Sequence, residues 1–350
     1  MKKRSRMGVQ LGGLAEKRPI AIDELGGRKV AVDAFNTIYQ FLSSIRQRDG
    51  TPLMDGKGRA TSHLSGIFHR NANLISQGIK LIYVFDGKYP SFKGAEVERR
   101  RGRKEEAEEK YREAREKGLL EEARTYAQAT SRLTDEMIEE SKSLLSLMGI
   151  PFVEAPSEGE AQAAKMVIDK QAYAVSSQDF DCLLFGAPIL IRNLSVTGRR
   201  KLPRRNEYVT VEPEEINLGK TLSALGITRE QLIWIGILCG TDFNEGVKGI
   251  GPKKALAIVR KQESLKDLLV HVKTKFGHSF LEDVEGIENF FLNPPVRDVS
   301  ISFPAPDREG LISFLCDEHD FSRERIEKTA DAIVRKAEEK GEQSRMGRWL

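Results

Sequence analysis

Lys80-Leu-Ile-Tyr-Val-Phe-Asp86 is an apolar run that opens on a lysine and closes on a carboxylate, and its reading decides the fold. Lys29-Val-Ala-Val-Asp33 has the same plan upstream, and Gln171-Ala-Tyr-Ala-Val-Ser-Ser177 downstream is followed by Asp179-Phe-Asp181. All three read as strands. Between them lie helical patterns, among them His63-Leu-Ser-Gly-Ile-Phe68 and Met137-Ile-Glu-Glu-Ser-Lys-Ser-Leu-Leu145. Strands alternating with helices predict an α/β fold with a mostly parallel central sheet and helices on both faces. Ligands of such sheets gather beyond the carboxyl ends of the strands, where these aspartates fall.

A chain of 350 residues allows two domains of roughly 150 residues or one large α/β domain. Its 39% hydrophobic residues suffice for a sizeable core and exclude a disordered chain. Charged residues reach 31%, against about 25% in typical domains, which leans toward the ion-pair-rich surface of a hot-adapted protein. The longest apolar stretch, Leu232 to Cys239, falls far short of the ~20 residues of a spanning helix. No apolar segment follows the basic run Lys2-Lys3-Arg4, so a secretory signal is not expected. Membrane, secreted and fibrous classes are excluded on this reading. Cys182, Cys239 and Cys316 are odd in number and widely spaced, which fits neither a disulfide framework nor a zinc site. Any metal is therefore expected on oxygen ligands.

From Lys88 to about Arg132 the chain changes character. Glu96-Val-Glu-Arg-Arg-Arg-Gly-Arg-Lys-Glu-Glu-Ala-Glu-Glu-Lys110 has too few apolar positions to bury a broad face. It predicts a basic helical arch that stands out from the body, broken at Gly118. Arg199-Arg-Lys-Leu-Pro-Arg-Arg205 reads as a basic loop, and the chain from Gly226 onward as helices with Gly/Pro punctuation.

Seven acids carry the chemistry: Asp33, Asp86, Glu158, Glu160, Asp179, Asp181 and Asp242. In Asp179-Phe-Asp181 an extended backbone puts both acids on one side. In Pro156-Ser-Glu-Gly-Glu160, Ser157 reads as an N-cap, and Ser157 with Glu160 also fits a capping box. That alternative leaves the strand-end aspartates unexplained. Gathered together, the seven would repel by several kcal/mol at an effective dielectric near ~20. Oxygen ligands in that number favour Mg²⁺ or Mn²⁺. A pair of such ions about 4 Å apart is the usual device for in-line attack on a phosphodiester. A P-loop does not supply the phosphate grip, because Gly246-Val-Lys-Gly-Ile-Gly251 is followed by Pro252. Those glycines predict a tight turn whose backbone, with Lys248, Lys253, Lys254 and a helix starting near Pro252, grips a nucleic-acid backbone.

Val32-Asp33-Ala34, Val84-Phe-Asp-Gly87, Ala155-Pro-Ser-Glu-Gly-Glu-Ala161, Ser177-Gln-Asp-Phe-Asp181 and Gly240-Thr-Asp-Phe-Asn244, with Gly249-Ile-Gly251-Pro252, together resemble the flap endonucleases. Their archaeal members are the nearest match, and the resemblance runs in order from Met7 to the C-terminus. It implies a divalent-metal 5′ nuclease, with both flap endonuclease and 5′–3′ exonuclease activity. Its substrate would be branched DNA with a 5′ flap, in lagging-strand maturation and base-excision repair. By that resemblance Asp33, Asp86, Glu158 and Glu160 form one metal group, and Asp179, Asp181 and Asp242 the second, for two Mg²⁺ that Mn²⁺ can replace. Lys93 and Arg100 match the basic catalytic pair at the foot of the arch, and their i,i+7 spacing puts both on one helical face. Tyr39 matches the aromatic gate. Arg46, Arg70 and Gly240 match DNA contacts, together with Glu158, Asp242, Gly249, Gly251, Lys253 and Lys254, and Thr61 matches the place where a 3′ flap is held. The Gly246–Gly251 turn matches a helix–two-turn–helix that uses main-chain carbonyls and a K⁺ ion.

The family ordinarily begins at Met-Gly-Val, here Met7-Gly8-Val9, so Met1–Arg6 is either a mis-assigned start or an extension. The tail Gln343-Ser-Arg-Met346-Gly-Arg-Trp349-Leu350 resembles a sliding-clamp box, with Trp349-Leu350 where two aromatics are usual. The resemblance divides the chain into a nuclease region over 1–104, an arch over 87–132 and an internal nuclease region over 122–264. The last of these holds the helix–two-turn–helix at about 234–262, and a C-terminal helical region over 265–341 and a clamp-binding tail over 342–350 follow. A monomer inside the cell is expected, nucleoid-associated in an archaeon and nuclear in a eukaryote. Two rivals are a related 5′ nuclease acting on gaps or bubbles and a catalytically silent junction- or clamp-binding module. Loss of a motif acid would mark the silent module, and every motif acid is present.

Overall fold

The computed structural model describes residues 9, 11–47, 49–88, 94–119, 122, 126, 127, 130–196, 198–201 and 208–346. In chain order the first half gives β1 (Lys17–Pro19), β2 (Lys29–Asp33), α1 (Ala34–Ser44), α2 (Ser62–Ser76), β3 (Lys80–Phe85), α3 (Gly94–Glu116), α4 (Asp135–Leu147), β4 (Phe152–Glu154) and α5 (Gly159–Ile168). The second half gives β5 (Ala174–Ser176), α6 (Asp181–Leu184), β6 (Ile189–Arg192), β7 (Gly198–Lys201), β8 (Tyr208–Val211), β9 (Glu214–Asn217), α7 (Leu218–Leu225) and α8 (Arg229–Cys239). Helices α9 (Pro252–Val259), α10 (Leu265–Phe276), α11 (Val284–Leu292), α12 (Arg308–Ile312) and α13 (Arg323–Met346) follow.

The main sheet has seven strands in the order β1-β9-β6-β5-β2-β3-β4. Its five-strand centre from β6 to β4 is parallel, and β9 and β1 add an antiparallel edge. The sheet is mostly parallel, as the sequence predicts. Strand β2 lies in the middle, with Val32 opposite Tyr83 on one side and Ser176 on the other. Period-two alternation then sorts side chains between two cores. Ala31, Ile82 and Val84 face a core with Ala163, Ile233, Ile237 and Phe291. Val30, Val32, Leu81, Tyr83 and Phe85 face another with Ile38, Phe41, Ile67, Leu144 and Ile326. This is why the deciding run is apolar at consecutive positions: both faces are covered. Tyr83 is fully buried and donates its hydroxyl to Asn71 Oδ1 at 2.9 Å, and burial pushes its phenol well above the ordinary tyrosine range.

Helices α1 and α2 pack face to face through Gly66, where an added Cβ would lie 2.3 Å from Cγ of Phe41. Alanine normally stabilises a helix interior over glycine by about 1 kcal/mol. Here the clash with a buried aromatic ring outweighs that gain, because overpacking costs about 1–3 kcal/mol. Gly66→Ala is therefore expected to lower the thermal midpoint in scanning calorimetry. An unchanged or raised midpoint would show that Phe41 has room to move.

Two expectations are corrected. The basic segment after Val196 is not simply a loop, since Gly198–Lys201 pairs antiparallel with Tyr208–Val211 as a separate two-stranded ribbon. The arch does not stand wholly clear of the body either. At its end Ser131 accepts from Arg46, which follows α1, at 2.7 Å, and within it Ala107, Ala114 and Ala127 are buried and Arg132 pairs with Glu108 at 3.1 Å. Gly118 does end α3: it has φ +68°, and the Leu119 N–H closes on the Ala114 carbonyl at 2.9 Å. No single helix among the described residues is long and apolar enough to cross a membrane. The nearest candidate, α7 with α8, is bent by 82° and buries Leu232, Ile233, Ile235 and Ile237 in the core.

Candidate active site

Four adjacent parallel strands deliver acids to one edge of the sheet. Asp33 is the last residue of β2 and caps α1, its Oδ1 accepting the Asn36 N–H at 3.0 Å. Its other oxygen lies 3.0 Å from the Ser177 hydroxyl, just past the end of β5. That hydroxyl is also 3.3 Å from Glu160 Oε1 and accepts the Asp179 N–H at 3.2 Å. Asp179 receives the Asn36 side-chain amide at 2.6 Å. Asp181 is buried, and its Oδ1 accepts the Val9 N–H at 2.8 Å, across 172 residues of sequence. One hydroxyl and one amide thus tie the two acid groups together.

The Asp179-Phe-Asp181 backbone is not extended. Phe180 has φ −96° and ψ −1°, and Asp181 opens α6, so the second acid is aimed by a helix start. The capping box at Ser157 also gives way. The cap of α5 is Glu158, and the first N–H of the helix, from Gly159, goes to Asp86 Oδ1 at 2.7 Å. A carboxylate from the end of β3 therefore does the capping, which brings Asp86 against the Glu158–Glu160 turn. The backbones meet closely there. Gly87 donates to the Ser157 carbonyl at 2.7 Å, and a Cβ on Gly87 would lie 2.0 Å from the Ala155 carbonyl oxygen. Only glycine fits.

Asp242 comes from the end of α8. Gly240 takes φ +95° and Gly246 φ +70°, and a Cβ on Gly246 would lie 2.3 Å from the Gly240 nitrogen. Buried Asn244 accepts from Thr241 Oγ1 at 2.8 Å and donates to the Ile237 carbonyl at 2.7 Å, which fixes the turn that presents Asp242.

The acids act on one another electrostatically. Glu160 keeps some surface exposure, yet its carboxyl is enclosed. Burial first, then Asp181, Asp33, Asp179 and Asp242, push it well above the usual carboxylate range. Cys182 is buried in the apolar core and feels the charge of the same acids. Burial and their charge drive its thiol well above the ordinary range, so it is a neutral packing group and no thiolate donor. Among the described residues no three His, Cys, Asp or Glu side chains close into a ready-made cation cage. The acids line a basin at the sheet edge, held by hydrogen-bond donors, where burial and mutual repulsion oppose the ionisation of Glu160. Such oxygen donors fit hard divalent ions of the Mg²⁺ type, whose charge would offset this repulsion.

The remaining predicted residues are spread over several other elements. Tyr39 is half-buried in the second turn of α1, and Arg70 is exposed on α2. Thr61 is buried at the start of α2, its N–H on the Leu53 carbonyl at 2.7 Å. Arg46 is turned inward: it donates to the Leu42 carbonyl at 2.9 Å, the Gly50 carbonyl at 2.7 Å and Ser131 Oγ at 2.7 Å. Burial lowers its guanidinium pKa from the ordinary value. Three of its five donors act in the fold, bracing the end of α1 against the last residues of the arch. Gly249 has φ +82°, Gly251 caps α9, and Lys253 and Lys254 are exposed on its first turn. Lys254 stacks its ammonium 4.6 Å from the Phe276 ring centre. Arg100 lies in α3, while Lys93 falls outside the described residues. Gln343 and Met346 lie at the end of α13, and Trp349 and Leu350 are outside the described residues.

Sequence reasoning missed Asn36, Ser177 and Asn244, which set the carboxylates in place. Ser177 and Asn244 border named motifs, and polar side chains beside strand-end acids were the available signal. It also missed a buried cluster away from the basin, where His63 Nε2 lies 3.0 Å from Glu140 and His319 lies 3.8 Å from both Glu140 and Asp55. Nothing in the sequence marks that cluster, because its members are scattered from residue 55 to residue 319.

The chain is similar to known proteins over nearly its whole length. The XPG N-terminal domain matches residues 7–107 and the XPG I-region matches residues 149–242. It is 55% identical to flap endonuclease 1 of Thermococcus onnurineus, over 98% of this chain and 99% of that protein. Flap endonuclease 1 of Pyrococcus furiosus is 54% identical over the same shares. The solved structure of flap endonuclease-1 from Methanococcus jannaschii is similar with a TM-score of 0.75 and 44% identity, covering 95% of this chain and 100% of that one.

Proposed function

This chain belongs to the flap endonuclease family, and from that premise we propose that it hydrolyses the phosphodiester at the foot of a 5′ flap in branched DNA, during replication and excision repair. The observation that best supports the reading is the Ser177 hydroxyl, 3.0 Å from Asp33 and 3.3 Å from Glu160 beyond the parallel strands, where Asp33, Asp179, Asp181 and Asp242 together raise the Glu160 carboxyl. Asp33, Asp86, Glu158 and Glu160 would hold one Mg²⁺, and Asp179, Asp181 and Asp242 the other. When bound, such ions activate the attacking water and neutralise charge developing on the phosphate. The chain's own groups do the rest. Ser177 and the Asp86 cap fix the carboxylate directions, and Tyr39 lines the entry for the nucleotide at the flap base. Lys93 and Arg100 draw the scissile phosphate toward the acids.

Duplex DNA is held at a distance from the chemistry. The Gly246–Gly251 turn, the N-terminus of α9, Lys253 and Lys254 suit sugar–phosphate contacts without base readout, with a K⁺ ion on turn carbonyls. Gly240, Arg70 and Thr61 complete the grip, whereas Arg46 contributes by bracing α1. Cleavage of an end-labelled double-flap substrate with Mg²⁺ tests the reading. Cleavage confined to the 5′ flap junction is expected, with a 3′ flap and a plain duplex spared. Equal cutting of gapped or bubble substrates would favour the sister nuclease reading.

The tail is read as a clamp-binding segment. Gln343, Met346, Trp349 and Leu350 have the spacing i, i+3, i+6, i+7, which gathers three apolar side chains on one face of a helical turn. Truncation after Gly341 is expected to abolish stimulation by the ring-shaped sliding clamp and to leave clamp-independent cleavage unchanged. Equal clamp affinity of full-length and truncated proteins would remove the assignment.

A further inference from the structure

Asn36 lies in the first turn of α1, outside the acid motifs, yet its side chain and its backbone N–H together bridge both acid groups. Its amide nitrogen donates to Asp179 Oδ2 at 2.6 Å, and its amide oxygen faces the Gln178 N–H at 3.4 Å. Its own backbone N–H donates to Asp33 Oδ1 at 3.0 Å. The orientation of the amide follows from chemistry. A backbone N–H can only donate and an ionised carboxylate only accept, so the oxygen must face Gln178 and the nitrogen must face Asp179. The helix that begins at the end of β2 is thereby pinned to the loop that leaves β5.

We propose that Asn36 is a positioning residue of the nuclease site: its amide aims Asp179 and sets the spacing between the two acid groups. The inference rests on the two-metal reading above. An amide suits the task better than a cation would. Lysine or arginine at this place would also orient Asp179, but its charge would repel a divalent ion and neutralise the acid meant to bind one. A neutral donor orients one carboxylate oxygen without charge. Groups that hold metal ligands in this way are typically worth about 10–100-fold in metal affinity or activity.

The test measures Mn²⁺ binding to the DNA-free protein by electron paramagnetic resonance, alongside single-turnover cleavage of a double-flap substrate. Wild type is compared with Asn36→Ala, Asn36→Asp and Asp179→Ala. Asn36→Ala is expected to bind Mn²⁺ about 10–100-fold more weakly at one site, to lose cleavage in step at limiting metal, and to keep its junction affinity. Asn36→Asp keeps the shape but removes the donor, so it should not restore wild-type behaviour. Recovery in Asn36→Asp would overturn the proposal by showing that only shape matters. A rate loss with unchanged Mn²⁺ affinity would overturn it as well, since the effect would then lie in DNA placement. Asp179→Ala separates the two levels. If it binds Mn²⁺ like wild type, the two-metal reading fails. If it loses a site while Asn36→Ala does not, only the role of Asn36 fails.

Discussion

Replacing Asp181 with alanine should lower single-turnover cleavage by at least about 10³-fold, or ~4 kcal/mol of barrier, while junction affinity stays within several-fold. The asymmetry follows from where each energy is made. Phosphate contacts far from the basin carry the binding, whereas charge stabilisation at the reacting phosphate depends on the acids. Asp181 is buried, lies beside Glu160 and holds the Val9 N–H, so alanine removes a charge and a structural acceptor together. Asp181→Asn separates the two, because it can still accept from Val9 but carries no charge. Equal loss in both variants would assign the effect to charge. Wild-type rates in either variant at saturating Mg²⁺, or cleavage in excess chelator, would sink the two-metal assignment.

The second large effect is expected at the foot of the arch. A basin of carboxylates repels an incoming phosphodiester even when two dications sit in it, so fixed cations must help bring the phosphate in. Electrostatic contacts to developing charge are typically worth ~3–4 kcal/mol, or about 10²–10³ in rate. Arg100→Ala and Lys93→Ala should each lose about that much in single-turnover rate, with affinity much less affected. Arg100→Lys should recover only part of the loss, because an ammonium lacks the planar fork. If the two residues only make i,i+4 ion pairs on a solvated helix, the alanine variants would cleave within a few-fold of wild type at saturating enzyme. The arch would then be a passive cover.

The central sheet was legible because each buried strand announces itself twice, by consecutive apolar residues and by the acid that ends it. Strand β3 needs apolar side chains on both faces, and Asp86 stands where the strand meets the basin. Details that depend on partners distant in sequence were not legible. Ser157 and Glu160 satisfy the local rule for a capping box, but the carboxylate that caps the helix comes from Asp86, 73 residues away. The extended reading of Asp179-Phe-Asp181 failed for a related reason. Local alternation suits a strand, whereas the Ser177 hydroxyl and the Val9 N–H hold a helix start. Arg199-Arg-Lys looked like a loop because charge hides pairing that the backbone alone supplies.

The central pairing of β2 with β5 has a consequence for how the chain is made. Val30 lies opposite Ala174, so the middle strand waits for a neighbour synthesised 174 − 30 = 144 residues later. At roughly 5–20 residues per second that wait lasts on the order of ten to thirty seconds, during which one edge of β2 has no sheet partner. The acids leave the ribosome in the order 33, 86, 158, 160, 179, 181 and 242. A nascent chain that stalls anywhere before Asp242 lacks part of the set, however well its first half has folded. Interrupted synthesis therefore yields fragments that lack one or more of the seven acids.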